Sequence, residues 1–376
     1  MYVKQILLSN CTIRATGGSG NMFLALNEIK KNKLRFTLII GVLMLVSYLV
    51  FFLSGLATGL ENLNRESVDK WKANAIILTE ESDKSITQSS LSTKDIKDID
   101  AKEIAEIGQI SAVAANGDEK TNVSIFGINK DQFIMPEVTE GEAFSEDNEV
   151  IASDALKEEG FNIGDELQLS SSSEVLTIVG FTDKARFNGA PVLYGELSTF
   201  QRVKFGEGAE ANKESINAII IREDNIEAIQ TDASLELIEI ETFIRSLPGY
   251  TEQSLTLSFM IYFLFGISAV IVAIFLYVLT VQKISMFGVM KAQGISNNYL
   301  ARSVIAQTFL LAAIGVAVGF VLTLVTGAFL PSAVPVAFDL VTMIIYGMVL
   351  VVVAIMGAVF SVLTIVRIDP LKAIGG

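Results

Sequence analysis

"QKISMFGVMKAQGISNNYL", residues 282–300, carries Lys283 and Lys291 between two long apolar runs, and those runs decide the fold. Upstream, residues 254–282 hold no charge; downstream, 303–338 hold none and are broken only by the turn-forming "PSAVP" at 331–335. The runs 36–60 and 340–366 are equally free of charge. Each is long enough for the roughly 20 residues a helix needs to cross an apolar layer of about 30 Å. Buried helices of soluble proteins seldom run so far without a charge, and 51% of the residues are hydrophobic. The expectation is a polytopic α-helical membrane protein with spans at 36–60, 254–282, 303–330 and 340–366.

Charge orients these spans, because Lys and Arg near span ends favour the cytoplasmic side. Residues 1–35 hold six basic residues against Glu28. The segment 283–302 adds Lys283, Lys291 and Arg302 with no acid, and the tail 367–376 has Arg367 and Lys372 against Asp369. Both termini and 283–302 are therefore expected in the cytoplasm. That leaves 61–252 outside as a single large domain with 39 acidic and 17 basic residues. An acidic outer face is first a solvated one; attraction of cations is the second reading.

The opening "MYVKQILLSNCTIRATGGSGN" is too polar at its centre for a signal peptide. Residues 1–21 read as a leader upstream of a true start at Met22, since Gly17-Gly18 is encodable by a ribosome-binding GGAGG. Without that leader Cys11 is lost. On that reading the chain has no cysteine and no histidine, which together exclude disulfides, thiolate nucleophiles and His-based metal sites or catalysis. From Met22, "MFLALNEIKKNKLR" puts Phe23, Leu26, Ile29 and Leu34 roughly on one helical face and Lys30, Lys31, Lys33 and Arg35 elsewhere. Residues 22–35 are read as a helix lying in the inner headgroup layer, or as a plain basic anchor.

Within 61–252, "NAIIL" (74–78), "NVSIFGI" (122–128), "EVLTIVGF" (174–181) and "INAIIIR" (216–222) read as strands, and "DNIEAIQTDASLELI" (224–238) as helix. "EGFNIGDELQLS" (159–170) reads as a turn feeding a strand, with Gly160 and Gly164 supplying the turn. An α+β domain large enough to bury its own core is expected.

The chain carries little chemistry. It has no phosphate-binding Gly-Lys loop and no charge inside any span, so neither ATP hydrolysis nor ion-driven transport is expected of it alone. Nothing points to nucleic acid, a metal or an intrinsic cofactor. Work must come from another subunit, and 283–302 is placed to receive it. Phe287, Gly288, Lys291, Ala292 and Gly294 are the candidate coupling residues, with an ordinary positive-inside loop as the alternative.

The stretch "FGVMKAQGISNNYLARSVIAQTFLLAAIGVAVGF" (287–320) resembles the hallmark of MacB/FtsX-type ABC permeases. The ending "VRIDPLKAIGG" (366–376) is similar to that family's terminus, and 140–169 to its periplasmic core domain. The resemblance implies four transmembrane helices with a large extracellular α+β domain between spans 1 and 2. Residues 246–294, "KARFNGAPVLY" (184–194) and the "MFLALNEIK" start are similar to the haem-exporter branch of HrtB/DevC permeases. MacB and FtsX proteins usually have Glu two residues before the coupling glycine, where this chain has Met286.

The resemblance implies a non-catalytic permease of a Gram-positive cell membrane, working as a homodimer with two copies of a cytoplasmic ABC ATPase that supplies ATP. Haem is the implied cargo. Without histidine, its ligands would be Tyr, Met or carboxylate on iron and a base on the propionates. The candidates are Met44 and Tyr48 on span 1, Met260 and Tyr262 at the outer end of span 2, and Glu61, Trp71, Arg186 and Tyr194 at the outer domain's base. Packing or interfacial anchoring is the competing role for each. Gly55/Gly59 and Gly315/Gly319 are spaced for close helix packing. Two other implied functions stay open: extraction of antimicrobial peptides or lipoproteins, and FtsX-like control of a cell-wall hydrolase.

Overall fold

The computed structural model describes residues 33–366 except 118, 171, 283, 332 and 333. The expected leader over 1–21, the basic helix over 22–35 apart from its last residues, Lys283 and the tail 367–376 lie outside the described residues.

In chain order the elements are α1 (Lys33–Lys70), β1 (Ala75–Thr79), β2 (Leu91–Ser92), β3 (Glu103–Asn116), β4 (Glu119–Ile128), β5 (Glu140–Gly141), β6 (Glu149–Ser153) and α2 (Ala155–Glu158). There follow β7 (Glu166–Leu169), β8 (Val175–Thr182), β9 (Arg186–Phe187), β10 (Ala190–Glu196), α3 (Leu197–Phe205), β11 (Ser215–Ile216), β12 (Ala218–Arg222) and β13 (Leu235–Glu239). The remainder is helical: α4 (Ile240–Ser246), α5 (Tyr250–Val281), α6 (Ile284–Ala292), α7 (Asn297–Ala328) and α8 (Leu340–Val366). The chain forms two compact units, one from residues 59–255 and one from the helices on either side.

Among the described residues four helices, α1, α5, α7 and α8, are long and apolar enough to cross a membrane. Large apolar side chains such as Phe36, Leu43, Leu276 and Leu311 fill the space among them, and small residues set the closest backbone approaches. A Cβ on Gly315 would lie 2.7 Å from the Leu43 Cβ, and one on Gly319 would lie 2.8 Å from the Ser47 Cβ and 2.9 Å from the Met44 carbonyl oxygen. Only hydrogen at those positions lets α7 approach α1 so closely. Gly357 of α8 likewise faces the backbone of α5 at Ala269 and Ala273, and Ala354 and Ala358 are fully buried beside it. Hydroxyls in these helices bond back to their own turn: Ser47 to the Leu43 carbonyl (2.6 Å), Thr308 to Val304 (2.9 Å) and Thr323 to Gly319 (2.9 Å).

Gly55 does something other than pack a helix. The loop between α7 and α8 donates the Ala337 N–H to the Gly55 carbonyl at 2.9 Å and lays the Phe338 ring over Gly55, where a Cβ would come within 2.5 Å. The other side of the ring rests on Gly327 of α7. Gly59, one turn on, is buried.

In the α+β unit an eleven-stranded sheet runs in the order β13-β1-β12-β3-β4-β10-β6-β8-β5, with β7 bridging β3 and β8 and β9 paired to β10. β3 joins its two halves, pairing with β12 over Glu103–Ile107 and with β4 over Gly108–Asn116. Gly108 and Gly127 stand opposite each other across β3 and β4. Phe200 of α3 drops into that gap, which any Cβ would close. Trp71, Phe126, Phe187 and Tyr194, each at most 1% exposed, form the aromatic centre of the main core.

Several boundaries differ from the sequence expectation. α1 does not stop near residue 60 but runs on to Lys70, because its last turns pack on the α+β core through Ser67 and Val68, both buried, which outweighs the weak helix formers in "ENLNRESVDK". Residues 224–238 are not a helix: a 3-10 turn occupies Ile226–Ala228, and "LELIE" forms β13 against β1. The period-two alternation of Leu and Glu there outweighs the helical propensity.

Candidate coupling turn and ligand positions

The segment 283–302 contains a helix, a turn and the beginning of a second helix. α6 ends in a left-handed residue, Gly294 (φ 84°), whose N–H donates to the Lys291 carbonyl (2.9 Å) while the Ile295 N–H donates to that of Met290 (3.1 Å). This pair of bonds is the Schellman closure, and Met290 and Ile295 supply its hydrophobic contact. Two residues later the Ser296 hydroxyl accepts from the Tyr299 N–H at 3.3 Å and starts α7. The direction of the chain is therefore set by glycine and serine within four residues.

The candidate coupling residues fall on two faces. Phe287 is 6% exposed and packs with Leu300 and Val304 of α7, and Gly288 is buried on the same side. Ala292 and Gly294 are exposed and Lys291 half-buried, and with them stand Met286 and Val289, which the sequence reading did not select. The inward pair holds α6 against α7; the outward group is the surface a partner can touch. A helical period read from Phe287 would have separated the two sets.

The ligand candidates are scattered. Trp71 is fully buried, its indole N–H without a partner among the described residues, and Tyr194 is enclosed with its hydroxyl beside Ser67 and its ring edge-on to Phe126. Burial pushes the Tyr194 phenol well above its ordinary range, against forming the phenolate that iron prefers. Both are ring material of the domain core, which is the packing role that the sequence reading set against ligation. Glu61 accepts the Ser254 hydroxyl at 2.7 Å. Arg186 is half-buried on β9. Met44 and Tyr48 are half-buried one turn apart on α1, where the Tyr48 hydroxyl donates to Thr326 at 3.4 Å, while Met260 and Tyr262 are exposed on α5. No group of acidic or sulfur ligands suited to a metal ion occurs among the described residues.

Two family models match in succession: a MacB-like periplasmic core domain over residues 36–234 and an FtsX-like permease C-terminal region over 258–370. The chain belongs to the MacB/FtsX family of ABC transporter permeases. A permease protein of Staphylococcus epidermidis, named HrtB for a hemin transport system, is 28% identical over 363 residues, 94% of this chain and 99% of the relative. The correspondingly named protein of Staphylococcus haemolyticus is 24% identical over 94% of this chain and 99% of its own length. The extracellular domain of the transporter YknZ from Gram-positive bacteria aligns over 44% of this chain and all of its own at 14% identity, with a TM-score of 0.32. As a permease, this chain is the membrane-spanning part of an ABC system, and the family implies a partner ATPase.

Proposed function

We propose that this permease exports haem, with ATP hydrolysed by two copies of a cytoplasmic ATPase bound to a homodimer of this chain. The observation that carries the reading is likeness to the hemin-system relatives over 94% of the chain, through both family regions. The termini and the α6–α7 turn face the cytoplasm in this reading, following the basic residues that flank the spans. ATPase closure acts on the exposed face of α6, through Met286, Val289, Ala292, Gln293 and Gly294. Haem leaves outward after entering from the membrane. Its candidate ligands narrow to Met44, Tyr48, Met260 and Tyr262, with Arg186 for a propionate, since Trp71 and Tyr194 are enclosed and Glu61 is engaged by Ser254.

A haem titration of the purified chain in detergent, followed by its Soret absorbance, tests this. Saturable binding weakened by Met44→Leu or Tyr48→Phe, and unmoved by Tyr194→Phe, is the expected result. A partition curve identical to that of empty micelles would overturn the haem reading in favour of peptide extraction, for which the acidic domain suits cationic cargo, or hydrolase control. Independently, Gly294→Trp is expected to abolish permease-stimulated ATP hydrolysis while the complex stays assembled; full stimulation would remove the α6 turn from the coupling path.

A further inference from the structure

α1 and α5 are both rooted in the α+β unit, and they are fastened there in different ways. The root of α1 is built in. Its last turn leads into Trp71, fully buried against Phe126, and Arg222 of β12 donates to the carbonyls of Trp71 (2.8 Å) and Lys72 (3.0 Å). The Asn188–Gly189 turn between β9 and β10 adds two N–H donors, to the carbonyls of Asn64 (3.3 Å) and Leu63 (2.9 Å). Lys70 reaches Thr182 (2.7 Å) and Asp183 (3.1 Å) at the end of β8. Backbone and core together hold this end.

The root of α5 follows Leu247-Pro248-Gly249, where Gly249 is left-handed (φ 75°) with open space where a Cβ would stand. Across from it, two side chains of α1 reach over in matched rungs one helical turn apart. Glu61 accepts the Ser254 hydroxyl at 2.7 Å, and Arg65 donates to the Tyr250 hydroxyl at 3.3 Å. The same guanidinium donates twice to Asp69 at 2.8 Å and once to Glu241 of α4 at 2.7 Å. One group thus gathers α1, α4 and α5, and its planar fork is matched to that role in a way an ammonium is not. Tyr250 completes the device, its ring inserted into the domain core at 8% exposure and its hydroxyl on Arg65.

We infer that Arg65, Glu61 and Tyr250 form a releasable latch, and Pro248–Gly249 the pivot, by which α5 parts from α1 while α1 stays fixed to the α+β domain. The inference rests on the permease assignment only in that a permease needs its spans to move. α5 is tied to α1 by two part-buried side-chain bonds and to the core by the single ring of Tyr250. The α1 root is held by buried Val68 and Trp71 and by four hydrogen bonds to its backbone carbonyls, so parting α5 from α1 breaks fewer contacts than lifting α1 from the domain. The movable seam is therefore the one between α1 and α5.

Spin-label distance measurements on the full chain in nanodiscs, with Cys11→Ser, test the latch without reading transport or ATP hydrolysis, so failure would leave the permease reading intact. Labels at Lys102 and Leu255 report α5 against the domain, and labels at Lys102 and Asn62 report α1. The expected result is a single narrow distance for both pairs, with Arg65→Ala broadening the Leu255 distribution at least twofold, leaving Asn62 unchanged, and Arg65→Lys falling between. An unchanged Leu255 distribution, or equal broadening of both pairs, would overturn the latch. Adding Pro248→Gly to Arg65→Ala is expected to broaden the Leu255 distribution further; no change would overturn the pivot.

Discussion

Where the α+β domain is densest it uses rings: Phe126 meets Trp71, Phe187 and Tyr194 with centroids 6.0, 5.3 and 5.7 Å away. Where backbones of the helical unit come closest it uses the lack of side chain, at Gly315, Gly319 and Gly357, with Ala312, Ala354 and Ala358 buried beside larger residues. The contrast follows from the solvent. In water, removing apolar area is the main drive, and aromatic side chains remove the most. Among lipid chains that drive is absent between helices, so stability comes from how closely two backbones can lie.

Trp71→Ala should have the largest effect. It is expected to remove about 3–5 kcal/mol from the α+β domain, measured by denaturant unfolding followed by circular dichroism. A loss below about 1 kcal/mol would show that the rings are not what holds that core. Gly319→Leu should destabilise the helical unit by about 1–3 kcal/mol in detergent unfolding, since the new side chain meets α1 backbone. Gly266→Leu on α5 has open space around it and should cost far less, so equal losses for the two variants would break the comparison.

The smallest effect belongs to surface charge on the domain. Lys70 donates to Asp183 and holds its carboxyl below the usual range, as Arg202 does for Asp147. A folded-state value below the unfolded one stabilises the fold above the ordinary carboxylate value of about 4, and that stabilisation is lost as pH falls through the folded value. Melting temperature should therefore decline below about pH 4, and Asp183→Asn should make the decline slightly shallower. An unchanged slope would assign the acid sensitivity to other carboxylates.

The spans were legible because exclusion of charge is a property of the chain itself. Where helices end was less so: charge marks where α1 leaves the apolar layer, while the helix continues to Lys70. The strands at 74–78, 122–128, 174–181 and 216–222 all coincide with observed strands, but "LELIE" was absorbed into a helix because Glu, Leu and Ala at 224–238 favour one and the pairing with β1 is long-range. Of the two glycine pairs, spacing could not tell that Gly315 and Gly319 meet α1 whereas Gly55 receives Phe338, since the loop that delivers the ring is set by tertiary packing. Arg65 passed unnoticed for the same reason: its partners Tyr250 and Glu241 lie more than 170 residues away. Trp71 and Tyr194 were chosen for their chemistry, yet it is burial that decides whether a phenol or indole can meet a ligand.

α1 is one uninterrupted helix of 38 residues, about 57 Å at 1.5 Å per residue. Hydrogen-bonded along its whole length, it is a lever arm, and a lever's output depends on length and angle alone. A tilt of about 10° at the Lys33 end carries the Lys70 end through about 10 Å, roughly the spacing of two packed helices. A small rotation at one end of α1 thus arrives at the other as a displacement the width of a secondary-structure element, with no further gearing.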